Sequence, residues 1–127
     1  MNRNKYCIAN WKMNFNKTDI IKFITQLNSK ALNHDVITIL SPSFIDINVT
    51  KSLLEGTDIL VAAQNISNKY NGAYTGDVSA YMLKEYNCNW VILGHSERRT
   101  IYGENNKIIN QKLDIIVQNK LNFLLCI

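Results

Sequence analysis

Five short apolar runs recur along the chain at nearly even spacing, and no other feature restricts the fold so strongly. They begin near residues 6, 36, 59, 90 and 121, at intervals of 30, 23, 31 and 31 residues. Parallel neighbouring strands need a crossover of a dozen or more residues, so repeats of about 30 residues read as strand–helix–strand units. The runs cover residues 6–11, 36–40, 59–63, 90–93 and 121–127. They are apolar throughout rather than alternating, the pattern of strands covered on both faces. The spacing predicts an α/β fold built on a parallel sheet.

The segments between the runs agree with helices. Thr18 is placed to cap a helix reaching Ser29, with Asp19 in its first turn and Ile20, Ile21, Ile24 and Leu27 on one face. Ser43 is placed to cap a second helix, and Gly56 sits where a left-handed stop residue belongs. Residues 79–86 form a short helix, and 105–119 a longer one with Ile109, Leu113, Ile116 and Val117 on one face. The polar stretch 64–77, with Gly72 and Gly76, exceeds the roughly 12 residues of an ordinary connection, a length usually kept for function.

Composition narrows the class. The chain has 127 residues, room for one domain, with 46% hydrophobic and 19% charged residues, a globular balance. No apolar run approaches the roughly 18 residues of a membrane span, and the first residues lack the apolar core of a signal peptide. The net charge of +4 is scattered and forms no nucleic-acid-binding tract. Cys7, Cys88 and Cys126 are odd in number and widely spaced, so they read as three buried reduced thiols rather than a disulfide framework or zinc knuckle. A cytoplasmic protein without membrane or nucleic-acid partners is expected.

Two parallel architectures fit. One is a five-stranded doubly wound sheet; the other is part of a (β/α)₈ barrel, which needs about 250 residues. A doubly wound domain covers its fifth strand with a helix, whereas this sequence ends within the fifth apolar run. That favours a segment of a larger barrel: four strand–helix units plus strand five, spanning residues 1–127, the N-terminal half of one domain whose C-terminal half is absent.

In either architecture the site lies at the carboxyl ends of the strands. Asn10-Trp-Lys12 follows the first run, Gln64-Asn65 the third, and Gly94-His-Ser-Glu-Arg-Arg99 the fourth. Taken alone, Lys12 is an ordinary surface lysine, but directly after a buried strand it points over the rim as a fixed positive charge. Ser96 is placed to cap the next turn, which sets His95 at the positive end of a short helix; that field disfavours an imidazolium and keeps His95 a neutral donor. Glu97, Arg98 and Arg99 read equally well as a surface ion-pair cluster, Arg99 above all.

The strings Ala9-Asn-Trp-Lys-Met-Asn14, Ala63-Gln-Asn65, Gly72-Ala-Tyr-Thr-Gly76, the stretch from Trp90 to Arg99, and Tyr102-Gly-Glu104 together resemble the N-terminal half of the triosephosphate isomerase family. The resemblance runs through the whole chain in order. It implies a (β/α)₈ barrel and an aldose–ketose isomerase that interconverts dihydroxyacetone phosphate and glyceraldehyde 3-phosphate through an enediolate, in glycolysis and gluconeogenesis, with no metal or organic cofactor. It further implies that Asn10 and Lys12 contact substrate, Lys12 offsetting negative charge, and that His95 is the electrophile. Glu97 supports the Lys12 and His95 side, and Ser96 helps position the catalytic base. A neutral histidine in this place is an established property of the family, not a deduction from this sequence.

The resemblance also gives the polar loop a role. It projects into a twofold-related subunit of a homodimer, with Thr75 bracing the neighbour's site. Asp77 stands where the family commonly has the longer glutamate, which weakens the expected ion pair across that interface to Arg98. The family's general base, a glutamate on a later strand, and its phosphate loops fall outside these residues. Glu104 follows the fourth strand in the matched stretch, and Glu55 and Glu85 lie on helices, so none substitutes. The 127 residues alone are therefore expected to be inactive. The alternative is a non-catalytic half-barrel that binds phosphosugars or pairs with a second polypeptide; a doubly wound binding domain offers no reason for the 94–99 string.

Overall fold

The computed structural model describes residues 3–30 and 35–127, in two compact units that divide after Ala62. In the first unit, strand β1 (Lys5–Asn10) pairs in parallel with β2 (Val36–Ser41), in register from Lys5 opposite Val36 to Asn10 opposite Ser41. β2 pairs in parallel with β3 (Leu60–Ala63), Ile39 opposite Leu60. Helix α1 (Lys17–Asn28) connects the first two strands; a 3₁₀ turn (Phe44–Asp46) and α2 (Ile47–Leu53) connect the next two. Ile20, Ile24, Ile39, Leu40, Ile47 and Leu54 are buried.

Helix α1 is capped by Asn16 and not by Thr18. Asn16 accepts from the Asp19 amide at 3.0 Å while the Asp19 carboxylate accepts from the Asn16 amide at 3.2 Å. Such a reciprocal box needs a polar residue three positions after the cap, and Thr18 would place Ile21 there. Ile20 and Ile24 are buried as expected, but Ile21 is exposed. Ser43 does precede a helical turn, yet its hydroxyl donates to Asp46 Oδ2 at 2.7 Å instead of capping a backbone amide, and α2 starts only at Ile47. Gly56 takes the expected left-handed conformation, at φ +80°.

In the second unit, β4 (Trp90–Leu93) pairs in parallel with β5 (Asn122–Leu125), Trp90 opposite Asn122. Around them lie α3 (Ala80–Glu85), α4 (Ser96–Thr100) and α5 (Asn106–Gln118), with Ser79 and Asn105 capping α3 and α5 through their side chains. Residues 64–77 form neither helix nor strand, as the sequence predicts. Val91, Ile92, Leu93, Leu83, Ile109 and Ile116 are buried.

Three expectations about burial fail in part. On α5 the inward stripe is Ile109, Lys112, Ile115 and Ile116, while Val117 is 61% exposed. Hydrophobicity alone cannot place a lysine inward, because the partners that make its burial tolerable are distant in sequence. Only Cys88 is buried; Cys7 is exposed and Cys126 is intermediate, all three being free thiols. Cys7 lies on β1, whose Tyr6 and Ile8 are also exposed, as are Phe123 and Leu125 on β5. The covering inferred from apolar runs holds for most of β2, β3 and β4 and not for β1 and β5.

Candidate functional site

At the carboxyl end of β1, Asn10 Oδ1 accepts from the Lys12 amide at 2.9 Å. Between them Trp11 is buried, its amide donating to Ser41 O at 3.1 Å and its ring packed on Phe15 at 4.7 Å and Phe23 at 5.5 Å. Asn14 closes the turn by donating to Trp11 O at 3.0 Å. This frame holds Lys12 at φ +55°, in the left-handed region. A residue with a Cβ pays about 1–2 kcal/mol there. The side chain stays exposed at the rim while its backbone is fixed from both sides.

At the end of β4 the chain turns at Gly94, φ +68°, into His95. His95 itself is the N-cap of α4: its Nδ1 accepts from the Glu97 amide at 3.3 Å. Ser96, expected as the cap, is the first helical residue and is exposed. The extended His95 backbone at ψ 143° brings the imidazole, not the Ser96 hydroxyl, back over the free amide. Glu97 Oε2 also lies 3.3 Å from Nδ1. Nδ1 thus faces an N–H donor and a carboxylate acceptor at the same distance, both from Glu97.

Behind α4 lies a network that sequence reading missed. Glu104 is buried, and its Oε1 receives Arg98 Nε at 2.8 Å, Arg98 Nη2 at 2.7 Å and Lys112 Nζ at 2.6 Å. Lys112 also donates to Asn65 Oδ1 at 2.8 Å, and Arg98 lies over the Tyr102 ring at 4.3 Å. Burial pushes the Lys112 ammonium below the usual lysine range, with the Glu104 bond and charge opposing that shift. Both cations are bound to the Glu104 carboxylate, an arrangement that the motif did not reveal. The matched strings did contain Asn65, Arg98 and Glu104, which was the available signal; Lys112 had none.

Thr75 is exposed in the 64–77 loop between Gly72, φ +126°, and Gly76, φ +91°. The loop is built, not slack. Ser67 donates to Asp77 Oδ2 at 2.9 Å, Asn68 donates to Gln111 at 2.7 Å, and the Tyr70 hydroxyl donates to Gln118. It borders an open cavity of about 500 Å³ lined by Tyr70, Tyr74, Asp77, Tyr81 and Met82. Within the chain Asp77 is thus engaged by Ser67 and Arg98 by Glu104. Asn10 and Lys12 meet in the first unit, His95 and Glu97 in the second. No group of three or more His, Cys, Asp or Glu side chains among the described residues could hold a metal ion.

Comparison with known proteins bears on the whole arrangement. The family model described as Triosephosphate isomerase matches residues 5–127. The triosephosphate isomerase of Mycoplasmopsis pulmonis is 41% identical over 127 residues, covering 94% of this chain and 51% of that protein. That of Flavobacterium psychrophilum is 42% identical over 125 residues, covering 98% and 50%. The glycosomal enzyme of Trypanosoma cruzi is 43% identical over 105 residues, covering 83% and 41%. The chain spans about half the length of the curated relatives it matches. Its succession of parallel strands and helices is that of a partial (β/α)₈ barrel.

Proposed function

Because the chain belongs to the triosephosphate isomerase family, we propose that it supplies the Asn10, Lys12, His95 and Glu97 side of a site interconverting dihydroxyacetone phosphate and glyceraldehyde 3-phosphate. The observation carrying this reading is the place of His95 at the end of β4, with Nδ1 turned to Glu97 and Nε2 left to meet substrate. A neutral N–H at that position can donate to the substrate carbonyl oxygen as a base removes the adjacent carbon-bound proton. The electrons pass to the carbonyl oxygen and the enediolate forms; His95 then helps the proton of the adjacent hydroxyl move to that oxygen, and the base returns its proton to the carbon that bore the carbonyl, leaving the new carbonyl on the neighbouring carbon. Lys12 offsets the developing negative charge from a backbone fixed before substrate arrives, which is the condition for such stabilisation to be effective. Asn10 orients both Lys12 and substrate, Glu97 supports the Lys12 and His95 side, and Ser96 helps position the base.

The base and the phosphate loops lie outside these residues in this reading, which takes the chain as the N-terminal half of one barrel domain. The 127 residues alone then provide electrophiles without a proton acceptor and do not turn over. We assign the complete protein to glycolysis and gluconeogenesis in the cytoplasm, as a homodimer whose 64–77 loop, with Thr75 at its tip, enters the partner. The exposed Tyr70 and Tyr74 within that loop, with Tyr81 and Met82 following it, support an interface there. The test is a coupled isomerase assay on the full-length protein and its His95→Gln variant. The variant should retain the fold and lose about 10²–10³ in kcat. An inactive parent protein, or a variant of equal activity, refutes the assignment and leaves a non-catalytic module.

A further inference from the structure

The last two residues of the 94–99 string are both arginines, and they do different things. Arg98 turns to Glu104. Arg99, which on sequence reads as a surface charge, is only partly exposed and spends three donors on three separate segments. Nε donates to Gly94 O at 2.8 Å, Nη1 to Asn106 Oδ1 at 2.9 Å, and Nη2 to Cys126 O at 3.2 Å. Its backbone amide also donates to His95 O at 3.2 Å. The guanidinium lies so close to the chain that a Cβ on Gly94 would come within 2.9 Å of Nη2 and 3.3 Å of Cys126 O. A planar fork can serve three acceptors in different directions; a lysine ammonium on a flexible stem cannot hold them in one geometry.

The bond from the Glu97 amide to His95 Nδ1, at 3.3 Å, is at the long end of the hydrogen-bond range and fixes the ring poorly by itself. Something else must set the peptide on which the imidazole stands. We infer that Arg99 is a positioning residue for His95: it clamps the Gly94 carbonyl, one residue before the imidazole, to the chain just beyond β5 and to the first turn of α5. The clamp sets the direction in which the chain leaves β4, and so the place of Nε2. This inference rests on the reading of His95 as the electrophile, where a misplacement of about 1 Å costs up to about 10²-fold in rate.

The experiment is Arg99→Lys in the full-length protein, with kcat, KM, thermal unfolding and the nitrogen chemical shifts of His95 and the Glu97 amide measured on the same samples. Expected are a cooperative melt, a kcat lower by about 10- to 10²-fold, a KM within about threefold of the parent, and displaced His95 and Glu97 signals. A kcat unchanged within about twofold, or a loss that only follows the folded fraction, overturns the inference. If Arg99→Lys does not fold, Asn106→Ala decides, since it removes one anchor and leaves Arg99 in place. It should displace the Glu97 amide and lower kcat by about threefold, and no change in either overturns the clamp. A parent protein without isomerase turnover removes the proposed reaction instead; unmoved His95 and Glu97 signals in Arg99→Lys then overturn the clamp separately.

Discussion

Lys112 Nζ lies 2.6 Å from Glu104 Oε1, and both side chains are buried, at 5% and 6% exposure. A contact of this kind contributes little net stability when formed but costs much when one partner is removed. Lys112→Met leaves Glu104 with Arg98 alone and should lower unfolding stability by about 3 kcal/mol in denaturant titration. The pH dependence has a definite sign. The folded pKa lies below the ordinary value of 10.5, so between the two the unfolded chain holds the proton that the native one has released. Stability contributed by this group therefore rises with pH across that interval, and the rise should vanish in Lys112→Met. An identical pH slope in parent and variant contradicts it.

Lys12 holds its left-handed backbone at φ +55° with the help of Asn10 and Asn14. Glycine occupies that region without the Cβ penalty, though it gains freedom in the unfolded chain. Lys12→Gly in the full-length protein should thus raise stability, by up to about 1 kcal/mol, while kcat/KM falls by at least about 10²-fold. A variant that melts well below the parent shows that the turn is not strained.

Thr75→Arg places a long charged side chain in the loop we assign to the subunit interface. Sedimentation of the full-length protein should show weaker association, with activity lost in parallel as dimer dissociates. A dimer of unchanged affinity moves the interface elsewhere.

The 127 residues expressed alone should show no isomerase turnover and no sharp melt. Tyr6 and Ile8 on β1 and Phe123 and Leu125 on β5 are exposed, so binding of an apolar dye and aggregation are the expected readouts. Adding residues of the remaining barrel in trans should suppress both. Cooperative unfolding with turnover near that of the full-length protein rules this out.

The periodicity of apolar runs determined by itself that this chain makes parallel strands joined by helices, and β4 begins and ends where the sequence places it. The order of residues also put Asn10 and Lys12 at the end of β1 and His95 and Glu97 just after β4, because their neighbours in sequence are also their neighbours in space. Local chemistry was legible to the same range: Gly56 was read correctly, whereas Asn16 displaced Thr18 and His95 displaced Ser96 once backbone direction chose which polar atom reaches the free amide. Only the tertiary structure decided the burial of Lys112, which depends on Asn65, Glu104 and Arg98, and the grip of Arg99 on Gly94, Asn106 and Cys126. Lys112 lies 47 positions from Asn65, and Arg99 lies 27 from Cys126. The physical reason is one of range: periodicity and capping depend on residues within a turn or two, while a charge is tolerated inside a protein only through partners that folding brings from elsewhere in the chain.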